Sequence, residues 1–160
     1  MGLDITAYQK AKLVKAVASP AELRTPGFKF PATAIYLHTI PDFAERCDGM
    51  PEGFYRMTGK QYGFRAGPYS YYNRWRHELA ELVGTTARAI WDDPKPGPFV
   101  ELINFADNEG FIGFKTSAKL AEDFRRFASK VGDNGDFAEG YRDWQRAFEL
   151  ASEGGVVHFH

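Results

Sequence analysis

The chain has 160 residues, 44% of them apolar and 26% charged, a balance that fits one globular domain with a core of its own. Twenty Lys and Arg against 21 Asp and Glu leave a net charge of −1, which provides no bulk field for long nucleic acid or an anionic membrane. A single cysteine, Cys47, excludes an intrachain disulfide and a cysteine-based zinc cage, and points to a reducing compartment.

Met1-Gly2-Leu3-Asp4 has no basic stretch leading into an apolar run, so no secretory leader is expected. No stretch approaches the ~20 apolar residues of a membrane span, and the expected location is the cytoplasm. Leu3 to Tyr8 alternates apolar and polar side chains, the pattern of a half-buried strand. Residues 17 to 32, with Ser19-Pro20, Thr25-Pro26-Gly27 and Pro31, read as a connecting loop. A strand follows near Ala34 to Thr39. Gly53 to Met57 and Gln61 to Ala66 read as two short strands joined by a hairpin turn at Thr58-Gly59-Lys60.

The first helix is expected from about Ser70 or Asn73 to Gly84, with Trp75, Leu79, Leu82 and Val83 on its apolar face. Beyond Pro94, Pro96 and Pro98, the segment Phe99 to Phe105 is apolar on both faces and reads as a central buried strand, a helical turn being the competing assignment. Thr116 and Ser117 suit a cap for a helix with the stripe Leu120, Phe124, Phe127 and Val131. Asp136 and Glu139 have capping-box spacing for a last helix with Phe137, Tyr141, Trp144, Phe148 and Ala151 inward. Gly154 fits the helix C-terminus, and Val156 to His160 reads as a final strand. The sum is an α+β single domain, a mixed or antiparallel sheet packed against three main helices.

Two polar segments stand out as candidate binding elements. In the first, Arg65, Tyr69, Ser70, Tyr71, Asn73 and Arg74 surround the passage from a strand through Gly67-Pro68 into a helix. A helix N-terminus favours anions, guanidinium groups grip phosphate oxygens, and tyrosine rings stack on bases. In the second, Asp107, Asn108 and Glu109 precede Gly110 in a loop expected to leave a central strand, where carboxylates can accept sugar hydroxyls or an exocyclic amine. The bland alternatives are helix capping for the first and an Asx-type turn for the second.

His158 and His160 lie two apart on a strand and so leave one face, which suits an anion or, with Asp107 or Glu109, a metal ion. His38 and His77 stand isolated and read as structural. Cys47, before Asp48-Gly49 and without a local histidine, reads as an unreactive thiol. None of the nucleophile-elbow, phosphate-loop, H-E-x-x-H or G-x-G-x-x-G patterns occurs.

Met1 to Ile5, Phe64 to Arg76, Gly97 to Phe105, Asp107-x-Glu109-Gly110, Ser117 to Leu120 and the Ala147 to His160 tail together resemble a group of small uncharacterised bacteriophage and prophage proteins. In that group a cysteine often stands at the position of Asn108 and an acidic residue at that of His158. The resemblance therefore implies that neither a thiol nor an H-x-H metal pair is the common mechanism, and it transfers no chemistry of its own.

The leading expectation is a non-enzymatic protein that sequesters a small anionic nucleotide-derived ligand, an ADP-ribose-type or cyclic-nucleotide signal, in phage counter-defence within the host cytoplasm. Arg65, Tyr69, Ser70, Tyr71, Asn73 and Arg74 are expected to hold phosphate and base, Asp107, Asn108 and Glu109 the sugar or amine groups, and His160 the remaining wall. No cofactor, structural metal, long nucleic acid or membrane partner is expected, and homo-oligomer formation is left open. The alternatives are a metal-dependent phosphodiesterase built on His158, His160, Asp107 and Glu109, and an inhibitor of a host enzyme with the tyrosine-rich segment as its hot spot.

Overall fold

A computed structural model describes residues 2–160. Five antiparallel strands form one curled sheet in the order β2-β3-β1-β5-β4. They are β1 (Leu3–Ala16), β2 (Ile35–Leu37), β3 (Gly53–Gly67), β4 (Gly110–Gly113) and β5 (Val156–Phe159). Three long helices, α1 (Tyr69–Leu82), α4 (Phe114–Phe127) and α5 (Asp136–Ala151), accompany two short ones, α2 (Ala87–Asp92) and α3 (Val100–Ile103). The expected α+β architecture is therefore present, and its sheet is antiparallel throughout. No helix among the described residues is long and apolar enough to cross a membrane.

Alternation along β1 sorts the two faces of the sheet. Leu3, Ile5 and Ala7 join Trp75, Leu79, Phe124, Trp144 and Phe148 in the main core beneath the helices. The opposite face carries a smaller core of Tyr8, Leu37, Cys47, Tyr55, Phe111 and Val156, roofed by the chain between β1 and β3. Because a strand has two faces, Asp4 and Thr6 leave on this second side. Their partners Arg65 and His158 leave with them.

Several local expectations are corrected. The supposed hairpin turn at Thr58-Gly59-Lys60 lies inside one continuous β3. There Tyr8 pairs with Gln61 and Lys10 with Thr58, so Gly59 and Lys60 bulge opposite Gln9. Gly59 takes φ +81°, the left-handed conformation a bulge of this kind needs. Lys60 N–H donates to Gln9 Oε1 at 2.9 Å and holds the bulge closed. A bulge and a tight turn share their glycine chemistry, which is why the sequence suggested the wrong one.

The expected strand at Phe99 to Phe105 is not a strand. Phe99 sits at φ +59°, and one helical turn, Val100–Ile103, follows it. Asp123, buried on α4, accepts the Phe99 N–H at 2.9 Å and fixes that reversal. β4, unassigned in the sequence, is instead the short edge strand after the 104–109 loop.

Helix starts also differ from expectation. α4 begins at Phe114, and neither Thr116 nor Ser117 caps it with its own side chain. Asp48 does so from across the molecule, accepting the Thr116 N–H and hydroxyl, both at 2.9 Å. Asp136 and Glu139 form no capping box, since Asp136 is already helical. At α1 neither Ser70 nor Asn73 makes a capping bond.

Candidate functional site

The strand ends that carry the predicted residues gather at one end of the sheet. Asp4 exchanges backbone hydrogen bonds with His160 (2.9 and 3.0 Å) and pairs with Arg65 on its other side. Gly110 pairs with Phe159. Arg65, Glu109 and His160 thus come from three strands that end together, with α1 starting just beyond β3.

Two cavities open there, and they divide the predicted residues. One, of about 350 Å³, lies between the end of β3, α1 and α5, and takes Arg65 and Tyr71 into its wall. Its floor meets Trp75 and Trp144, and Asp136, Glu139 and Asp143 also line it. Three carboxylates against one guanidinium give it the wrong sign for a phosphate. The other cavity, of about 400 Å³, is a cleft on the second face of the sheet lined by Pro20, Leu23, Tyr36, His38, Glu109, Gly110, His158, Phe159 and His160. Curling of the sheet makes this possible, since β2 and β4 are its opposite edges yet the chain at both reaches one cleft. The loop at residues 17–32, read as a mere connector, supplies Pro20 and Leu23 as a wall.

No family model, curated protein or solved structure matches this chain. The geometry of the cleft must carry the functional reading.

His38, isolated in sequence, is not isolated in space. Its Nδ1 lies 3.1 Å from Glu52 Oε2. The same carboxylate accepts the Thr39 N–H at 3.0 Å and the Tyr36 hydroxyl. Burial and the Glu52 carboxylate both push the Tyr36 phenol well above its ordinary range, so Tyr36 remains a donor. On the cleft floor the His158 and His160 rings stack 4.9 Å apart at 24°. His160 Nε2 and Thr6 Oγ1 are 2.9 Å apart. Sequence reasoning missed Tyr36, His38 and Glu52. The only signal for them was Tyr36 and His38 on one face of a short strand, which reads equally well as solvated surface.

The remaining predicted residues serve other ends. Asp107 is not with the histidines, and faces buried Arg76 at 3.9 Å. Arg76 donates to the carbonyls of Ile103 (3.3 Å) and Phe105 (2.9 Å) and to Asn73 Oδ1 (3.2 Å). Asn73 and Asp107 therefore meet at an arginine that anchors the 103–107 backbone to α1, and neither lines the two cavities. Asn108 Oδ1 accepts the N–H of the next residue, Glu109, at 2.9 Å, one residue short of the reach that defines an Asx-type turn. Tyr69, Ser70 and Arg74 are exposed and line neither cavity. The loop does not leave a strand but leads into β4. No group of three or more His, Cys, Asp or Glu is placed to hold a metal ion among the described residues. Cys47 is buried, and burial pushes its thiol up to about 11, far from the thiolate that reactivity requires.

His158 gives a pH-dependent expectation. Burial, and secondly the neighbouring His160, lower its pKa from 6.5 to about 4. The folded protein holds this ring neutral while the unfolded chain protonates it below about 6.5. Its stability contribution is whole above pH 6.5 and is lost as pH falls toward 4, a difference of roughly 3 kcal/mol. Urea titrations at pH 7 and pH 4.5 should show a much smaller acid loss in His158→Gln than in the parent chain. Equal losses in the two proteins would contradict the assignment.

Proposed function

We propose that the protein binds a small nucleotide-derived ligand in the cleft on the second face of the sheet. The observation that supports this is the convergence of His38, Glu109, His158 and His160 from three distant segments around a volume suited to a small molecule. The stacked imidazoles offer a flat surface to a base. Glu109 is the one carboxylate of the wall, free to accept a sugar hydroxyl or an amine, whereas Glu52 is committed to Tyr36, Thr39 and the adjacent His38. Arg65 lines the other cavity, so a phosphate here is met by the imidazoles of the cleft. On this reading the role is sequestration of a nucleotide signal in a host cytoplasm, the use a phage protein would make of it in counter-defence.

Isothermal titration with ADP-ribose, cyclic AMP and a cyclic dinucleotide tests the proposal. At least one should bind, and His160→Ala or Glu109→Ala should each weaken it by roughly 1–3 kcal/mol, with the melting temperature nearly unchanged. Tyr71→Ala, in the other cavity, should leave affinity intact. Absence of binding by all three ligands would sink the proposal.

A further inference from the structure

The cleft contains more organised polar chemistry than holding a ring and a phosphate demands. Glu52 is only 12% exposed, accepts hydrogen bonds from Tyr36 and the Thr39 N–H, and lies 3.1 Å from His38 Nδ1. A carboxylate saturated in this way cannot swing, and it fixes the His38 ring in turn. The Glu52 carboxylate 3.1 Å from Nδ1 favours the ring proton on that nitrogen, which leaves the accepting lone pair of His38 on Nε2, on a side chain that lines the cleft. A base within reach of a cavity, oriented by a third group, is the arrangement that general-base catalysis uses.

The floor supplies a complementary group. His160 engages Thr6 through Nε2, which leaves its Nδ1 for a ligand, and its ring is held against His158. His38 comes from the chain just after β2, and His160 from the end of β5. They therefore reach the ligand space from separate elements rather than side by side. The cleft wall contains no serine, threonine or cysteine, so an aliphatic alcohol or thiol nucleophile comes from the ligand rather than from the wall.

We propose that the cleft also cleaves ribonucleotide phosphodiesters by transfer to the ligand's own 2′-hydroxyl, with His38 as general base and His160 as general acid. This rests on the nucleotide reading above. His38 Nε2 takes the 2′-hydroxyl proton as the 2′-oxygen forms a bond to phosphorus. The bond from phosphorus to the 5′-oxygen breaks, and the departing oxygen takes a proton from His160 Nδ1. The products are a 2′,3′-cyclic phosphate and a 5′-hydroxyl. His38 ends protonated and His160 deprotonated, and exchange with water restores both. No oxidant, reductant or protein nucleophile enters the balance. Glu52 is the positioning residue, holding the ring of His38 and facing the imidazolium that forms. Ligands lacking a 2′-hydroxyl beside a phosphodiester are held and not cut.

The test uses the full chain with the dinucleotide ApA and its counterpart lacking the attacking 2′-hydroxyl, following binding by calorimetry and products by chromatography. ApA should yield adenosine 2′,3′-cyclic phosphate and adenosine, while the deoxy counterpart binds and stays intact. His38→Ala and His160→Ala should each lower kcat at least about a hundredfold. Glu52→Gln should lower kcat about tenfold and leave KM within about threefold, a split that a merely structural role would not give. His38→Gln, which retains a donor toward Glu52, reads the same role if the alanine variant does not fold, and full activity in it would overturn the assignment. Binding of the deoxy dinucleotide without cleavage of ApA overturns the turnover and leaves the binding reading standing. Absence of binding by both dinucleotides overturns the turnover and counts against the binding reading as well.

Discussion

Phe148→Ala is expected to cost about 3–5 kcal/mol of folding stability, the range for removing a fully enclosed phenyl ring. Phe148 is wholly buried on α5. It stacks between Phe124 of α4 (5.9 Å, 22°) and Trp144 of its own helix (5.7 Å, 18°). Trp144 continues the contact to Trp75 of α1 and Phe159 of β5, so one ring column ties three helices to the sheet. Deleting the central ring leaves a void that rigid aromatic neighbours fill poorly, which places the cost toward the upper end. Urea unfolding monitored by circular dichroism would measure it. A loss below about 1.5 kcal/mol would show that the column can collapse and does not organise the core.

Asp123→Ala should be comparably damaging, at about 3–5 kcal/mol, although its side chain is small. The carboxylate is buried and accepts the backbone N–H of Phe99. It also meets Lys119 Nζ at 2.7 Å. Phe99 is held at φ +59° with a fully buried ring against Phe124 (4.8 Å). Without Asp123 that N–H has no acceptor, and nothing offsets the strain of the left-handed conformation. Lys119 keeps Glu101 (2.6 Å) and the Gly97 carbonyl (2.5 Å), so the damage should centre on the 97–103 segment. Hydrogen exchange should reveal the amide of Phe99 and its neighbours opening before the rest of the core. A variant within about 1 kcal/mol of the parent would mean that the reversal is held by packing alone.

The Phe99 reversal also shows where sequence reading runs out. The stripes Leu120-Phe124 and Tyr141-Trp144-Phe148 recur at the helical period, and that local signal located α4 and α5. Phe99 to Phe105 has no period, being apolar on both faces. Its conformation is decided by an aspartate 24 residues further along the chain. Likewise the glycine at 59 announced a change of direction, but whether it became a turn or a bulge depended on Gln9 across the sheet. The cleft follows the same rule. Glu109 and His160 could be singled out because each lies in a visibly polar segment at a strand end. His38 and Glu52 could not, since their pairing depends on how the curled sheet folds the chain before β3 back over β5.

Thr6 and His160, joined by side chain at 2.9 Å, are 154 residues apart in sequence. On a ribosome adding ~5–20 residues per second, β5 follows β1 by roughly 8–30 s. β3 can pair with one edge of β1 well before that, but the edge reserved for β5 stays open throughout the interval. An unpaired edge ending in Leu3, Ile5 and Ala7 is a template for a neighbouring nascent chain. The far half of β1 carries Lys10, Lys12 and Lys15, charges that repel such pairing, and the first half carries none of them. Yield in cells should therefore be governed by crowding of polysomes and by translation speed downstream of codon 67, even for variants whose finished stability is unchanged.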